Sequence, residues 1–349
     1  MTQSSDNEVD LLLGRMKTAA APIRDVLRQI YGRLSQLGEG KVADYIPELA
    51  QANPNDFGIS LCTVDGQTIE VGDCQKMFTI QSASKPFTYG LAIEDHGCEA
   101  VLQKIGVEPT GEAFNSIVLD ETSNRPFNPM VNAGAIATAD LIKGTDYPDR
   151  VKRMLATFAR YCGREIFVDN AVFLSERTTG HRNRAMAHLM RNFGMVGDKF
   201  EESLELYFQQ CSLLVHAHDL AVMGATLANG GINPVTQEQA VSTETVKYIL
   251  SIMLSCGMYD YAGEWAFRVG LPAKSGVGGG IVAVVPGVLG IGLYSPLLDD
   301  KGNSRRGVEA CIELSRRFGL HALESGTGTD DIKDFLSLNR GRGQKPNKS

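Results

Sequence analysis

The spacing of apolar residues changes several times along the chain, and each change predicts an element. From about Leu11 to Leu37, Leu12, Met16, Ile23, Val26, Leu27 and Ile30 recur at helical intervals. That spacing predicts an amphipathic helix, which Gly38 and Gly40 stop. FGISLCTVDGQTIEVGD (57–73) holds two short strand-like runs around Asp65-Gly66, a strong hairpin signal. Residues from roughly Phe87 to Leu254 read as mostly helical, interrupted by NRPFNPMVNAG (124–134) with its prolines and asparagines. Within this block, LAVMGATLANGG (220–231) predicts a helix with Asp219 as N-cap and Gly230 near its end. Lys274 to Tyr294 returns to strand character, two or three strands, and RGVEACIELSRRFGLHAL (306–323) closes the pattern as an amphipathic helix.

The order helix, hairpin, helical block, hairpin, helix predicts an α/β (α+β) fold. Two β segments far apart in sequence can form one antiparallel sheet if the helical block is an excursion from it. The terminal helices would then cover one face and the excursion would adjoin the other. This places a sheet subdomain at about 11–80 and 255–325 and a helical subdomain at about 87–254. Residues 1–10 read as a mobile lead and 326–349, ending in NRGRGQKPNKS, as a disordered tail.

Composition removes several function classes. A net charge of −7 gives no reason to expect a nucleic-acid surface. Asp6, Glu8 and Asp10 stand where a signal peptide would need a basic start, so the expectation is a cytoplasmic protein. Val277 to Tyr294 is uncharged and near spanning length, but Gly278, Gly279, Gly280 and Pro286-Gly287 break it into a buried hairpin rather than a membrane helix. The seven cysteines are widely spaced with no CxxC, which indicates neither a disulfide framework nor a metal site. No metal and no cofactor is expected.

FTIQSASKPF (78–87) carries the first candidate chemistry. Ser82 and Lys85, at i and i+3, share one face of a helix, where an amine could take the hydroxyl proton. Alone the spacing is weak, because chance supplies about one S-x-x-K in a chain of this composition. Pro86 is tolerated in the first turn and so sets a helix start close to Ser82, although it disfavours helical geometry at Lys85. Downstream, Lys274-Ser275-Gly276 opens a strand and is followed by Val277 and three glycines. S-x-x-K with a later Lys-Ser/Thr-Gly strand is the signature of penicillin-recognising serine enzymes. The amides of Ser82 and Val277 would be the oxyanion donors. Lys274 would place positive charge near Lys85 and lower its pKa.

QSASKPF, NPMVNAGAI (128–136), SERTTGHRN (175–183), DLAVMGATLANGG, GMYD (257–260) and KSGVGGG together resemble the serine-dependent glutaminase family, from about Val42 to Leu320. The resemblance implies a β-lactamase-like fold, hydrolysis of L-glutamine to L-glutamate and ammonia through a γ-glutamyl ester, no metal, and a homo-oligomer, dimer or tetramer. It puts the nucleophile on Ser82 and its base on Lys85. Substrate contacts fall on Tyr45, Gln81, Asn132, Glu176, Asn183, Tyr207, Tyr259 and Val277. Glutamine also carries an ammonium, which Glu176 can pair, and a carboxylate, which Asn132, Asn183 and Tyr45 can bond. Tyr259 and Tyr207 can relay a proton to the departing nitrogen.

Other signals point elsewhere. His216-Ala217-His218 suggests a metal pair but lacks a third ligand of suitable spacing. His181 or His188 leaves a Ser-His-acid triad with Ser82 open. Trp265 reads as core. A β-lactamase or penicillin-binding peptidase would be expected to carry a secretion signal and a Ser/Tyr-x-Asn element, and neither is convincing. A catalytically silent binding protein on the same scaffold would not need Ser82, Lys85 and Lys274 together.

Overall fold

The structure, a computed structural model, describes residues 22–111 and 116–324. The lead expected at 1–10 and the tail expected at 326–349 lie outside the described residues. The first hairpin forms as its alternation predicts: β1 (Gly58–Thr63) pairs antiparallel with β2 (Thr68–Gly72), and Gly66 takes φ +86° in the turn. A short β3 (Phe78–Thr79) pairs with β4 (Leu214–Val215), far along the chain. Three strands then follow near the end: β5 (Ala273–Ser275), β6 (Gly280–Val285) and β7 (Leu289–Tyr294). The main sheet has the order β2-β1-β7-β6-β5 and every pairing is antiparallel. The uncharged run Val277–Tyr294 is thus the β6–β7 hairpin. Among the described residues no helix is long and apolar enough to cross a membrane.

Alternation divides the sheet between two cores. Ile59, Leu61, Ile281, Ala283, Ile291 and Leu293 face the helix at 22–34 (Ile23, Leu27, Ile30) and the Arg305–Phe318 helix (Val308, Cys311, Leu314). Trp265 is fully buried in that layer, its Nε1 donating to Leu271 O at 2.7 Å. The other face carries Val282 and Val284 into the large helical core. It also lies directly against the Ala217–Ala228 helix. Gly290 and Gly292 make that approach possible: a Cβ there would fall 2.1 Å from Ala225 N and 2.0 Å from Ala217 O. A helix backbone seated this close anchors the helical block to the sheet.

The N-cap of this helix differs from the expectation. His216 is the cap, and Asp219 sits at the third helical position as the reciprocal partner of a capping box, accepting from His216 N at 2.8 Å. An acid three residues into a helix is as good a start signal as one at the cap itself, so sequence alone placed the boundary three residues late. His218 pairs with Glu70 at 2.7 Å. Both histidines of the His-x-His motif are therefore bound to carboxylates. All seven cysteines are free thiols, six of them buried and Cys98 half-buried.

Candidate active site

Ser82 lies in a 3-10 turn, Gln81–Ser84, that runs directly into the Lys85–His96 helix. Pro86 occupies the first turn of that helix, where its missing N–H costs nothing, and Lys85 is helical (φ −56°, ψ −42°) despite preceding a proline. Tertiary packing overrides the local preference. The turn is fixed from several sides: Ile80 N donates to Leu213 O at 2.8 Å and Ser84 Oγ to Gln81 O at 2.6 Å. Gln81 holds φ +50°, a conformation costly for a side chain with a Cβ.

Ser82 is 5% exposed and Lys85 1%. The Lys85 ammonium donates to Met130 O at 3.0 Å and Asn132 Oδ1 at 2.8 Å. Burial pulls its pKa down to about 8. Asn132 is the first residue of the Asn132–Asp140 helix and makes no capping bond; its side chain instead links Lys85 to Asn183, donating to Asn183 Oδ1 at 3.1 Å. Asn128 shapes the loop that delivers it, accepting from Met130 N and Val131 N at 2.9 and 3.2 Å.

The strand motif arrives from the other side. Gly276 is pressed onto the Ser82 turn: a Cβ would lie 2.6 Å from Ile80 O and 3.1 Å from Ala83 N. At Gly278 it would lie 2.5 Å from Thr79 O. These glycines serve backbone-to-backbone contact rather than an exposed loop, and they bring Val277 beside Ser82. Gly257 repeats the device, with a Cβ 1.7 Å from Ala273 O, and so seats the GMYD turn on β5. Tyr259 emerges from that turn at φ +55°, and its hydroxyl interacts with the Ser82 side chain and the Val277 backbone. Burial raises the phenol's pKa, and the Ser82 bond partly opposes this.

Lys274 is fully buried, with Nζ 4.1 Å from the centre of the Tyr259 ring and donating to Ser275 O at 2.5 Å. Both lysines are pulled below the ordinary lysine value. Lys274 is pushed well below the ordinary lysine value, first by burial and then by Lys85, whereas Lys85 is lowered by burial.

The remaining residues line the outer part of the same pocket, of about 490 Å³, together with Ser82 and Val277. Glu176 is 7% exposed and its carboxyl pKa is raised by burial, opposed by hydrogen bonds from Tyr45 and Gln81. Tyr45, expected beside a substrate carboxylate, donates its hydroxyl to Glu176 Oε1 at 2.7 Å. Tyr207 is buried and bonded with Cys211, whose thiol burial pushes up to about 12. His181 and His188 are both exposed, and His188 packs edge-on against Phe200. Among the described residues no cluster of three metal-binding side chains occurs.

Sequence reasoning missed the rim. Arg182, Asp260 and Asp299–Gly302 line the pocket, and Lys301 Nζ pairs with Asp260 Oδ2 at 3.0 Å. The Asp-Asp-Lys-Gly run reads as an ordinary turn, and nothing local signals that it closes over GMYD.

Comparison with known proteins agrees with this geometry. A family model described as Glutaminase matches residues 40–323. The chain is similar to a glutaminase of Microcystis aeruginosa, 62% identical over 91% of this chain and 94% of that one. It is also 61% identical to a glutaminase of Trichormus variabilis, over 89% and 93% of the two chains. Among solved structures, Mglu in its glutamate form superposes with a TM-score of 0.84 at 45% identity, covering 88% of this chain and 71% of that one. The fold is the β-lactamase-like one, an antiparallel sheet flanked by helices.

Proposed function

The chain belongs to the glutaminase family and hydrolyses L-glutamine to L-glutamate, and we propose that it does so through a γ-glutamyl ester on Ser82. The observation that carries this reading is the convergence on Ser82 of three separate chain segments. These are the Lys85 helix, the Tyr259 turn and the Gly276–Val277 backbone, with Ser82 and Val277 lining one pocket with a buried carboxylate. Lys85, neutral above about pH 8, takes the Ser82 proton. The oxygen attacks the amide carbon, and the Ser82 and Val277 amides receive the developing negative charge. Tyr259, already bonded with Ser82, passes the proton to nitrogen. The C–N bond breaks, ammonia leaves, and water then cleaves the ester to return glutamate and the free hydroxyl.

Glu176 takes the substrate ammonium, replacing its bond from Tyr45, and Asn132 and Asn183 bond the carboxylate. Mglu, a structural relative, has been solved in a glutamate form, which fits a pocket built for that skeleton. A homo-oligomer, dimer or tetramer, in the cytoplasm belongs to the same reading. Exposed Phe167 and Leu174 supply apolar surface for such contacts, and light scattering on the native chain measures the state. The decisive experiment compares ammonia release from glutamine in wild type and Ser82→Ala, with mass spectrometry of a diazoketone analogue of glutamine. Covalent labelling that persists at full rate in Ser82→Ala would remove the serine mechanism.

A further inference from the structure

A second pocket, of about 320 Å³, has Tyr259 in its lining. Pro109, Met130, Val131, Leu254, Ala262 and Ala266 supply most of its apolar wall. Tyr259 forms its inner end, while the same side chain's hydroxyl is on Ser82. Met130 also stands between the two spaces, lining this pocket while its carbonyl accepts from Lys85. Gly263 and Ser255, both exposed, mark its outer end. The catalytic pocket opens past Glu176, Asn183 and the 299–302 rim, and Asp260 lines both pockets.

We infer that this rear pocket is the path by which ammonia leaves during acylation, a step that rests on the Ser82 ester proposed above. When the C–N bond breaks and the Oγ–C ester bond forms, the Ser82 proton ends on nitrogen and the leaving group is neutral NH3. The glutamyl group stays attached to Ser82, with its charged α-substituents held by Glu176, Asn132 and Asn183 across the front opening. Ammonia is therefore freed at the inner end while the front is filled. A neutral molecule the size of water crosses an apolar wall without the cost a charged product would meet. The side chain beside the leaving nitrogen, Tyr259, is the one that faces the rear pocket.

The path can be plugged without touching the chemistry. A Cβ at Gly263 meets nothing within 4 Å, so Gly263→Phe adds a bulky side chain at this pocket's lining with no clash at its Cβ. Ser255→Cys gives a plug applied after folding: the thiol is modified with benzyl methanethiosulfonate and freed with dithiothreitol, with wild type treated identically. The readouts are kcat for glutamine, affinity for L-glutamate, and the ratio of γ-glutamylhydroxamate to glutamate formed in hydroxylamine, an ammonia-sized amine entering by the reverse route. Plugging is expected to lower kcat and the ratio by about fivefold each, with glutamate affinity unchanged and both effects reversed on reduction. A kcat or a ratio unmoved by the reversible plug overturns the path. Absence of any hydroxamate from the unmodified enzyme removes the ester and the path with it.

Discussion

The inner and outer halves of the catalytic pocket are built differently. At the inner end, Ser82, Lys85, Tyr259 and Val277 come from segments locked backbone to backbone through Gly257, Gly276 and Gly278, with Gln81 and Tyr259 both at positive φ. At the outer end, Tyr45, Asn183 and the Asp260–Lys301 pair are half-buried or exposed and reach the pocket through side chains alone. Chemistry that tolerates no displacement sits where backbones fix position, and recognition sits where side chains can adjust. Substitutions at the inner end should therefore reduce kcat, and those at the outer end should act on KM.

The largest effect is expected from Ser82→Ala, a loss of at least about 10⁴-fold in kcat with L-glutamate binding retained, read by calorimetry. Lys85→Met should cost about 10³-fold in kcat. In wild type, kcat/KM should rise with pH to a plateau above about 8, because the base works only after losing its proton. A profile that still titrates near 8 in Lys85→Met would take that role from Lys85. The same residue contributes to stability with a definite sign. Its folded pKa lies below the unfolded value, so the unfolded chain binds more protons and stability from this group rises from about pH 8 to 10.5.

Gly276→Ala tests the backbone contact itself. The added Cβ forces β5 away from Ile80 and shifts the Val277 amide, with an expected loss of about 10²-fold in kcat and little change in KM. Glu176→Gln moves to the outer half: KM should rise about tenfold to a hundredfold while kcat stays within a few-fold, since the lost interaction is a charged hydrogen bond. If kcat falls instead, the division between the halves fails. The smallest effect belongs to Asp260→Asn. Its partner Lys301 is solvated, so the pair is screened and KM should shift less than about fivefold.

Most of the inner half was legible in the sequence, because its parts are short motifs with fixed geometry. S-x-x-K followed by proline implies a nucleophile at a helix start. Lys-Ser-Gly at a strand implies a second backbone donor, although the motif closes β5 rather than opening a strand. The terminal helices and both hairpins were equally legible, since their apolar period is set by the faces they bury. The relation between Lys85 and Lys274 was not. Both are pulled below the ordinary lysine value by burial among segments 189 residues apart, and no local pattern encodes desolvation.

The sequence by itself determined the elements, their order, and the residue types that the chemistry needs, because hydrophobic period, turn chemistry and motif spacing act over a few residues. Only the tertiary structure decided how closely the elements approach. Glycines that read as turns proved to be contact points at Ile80 and Thr79. A proline that argued against a helical Lys85 was overruled by packing. An acidic turn at 299–302 became the rim of the pocket, and Tyr259 became a side chain shared between Ser82 and a second pocket. Each of these is a distance between segments far apart in the chain, set by how two surfaces fit rather than by what either segment prefers alone.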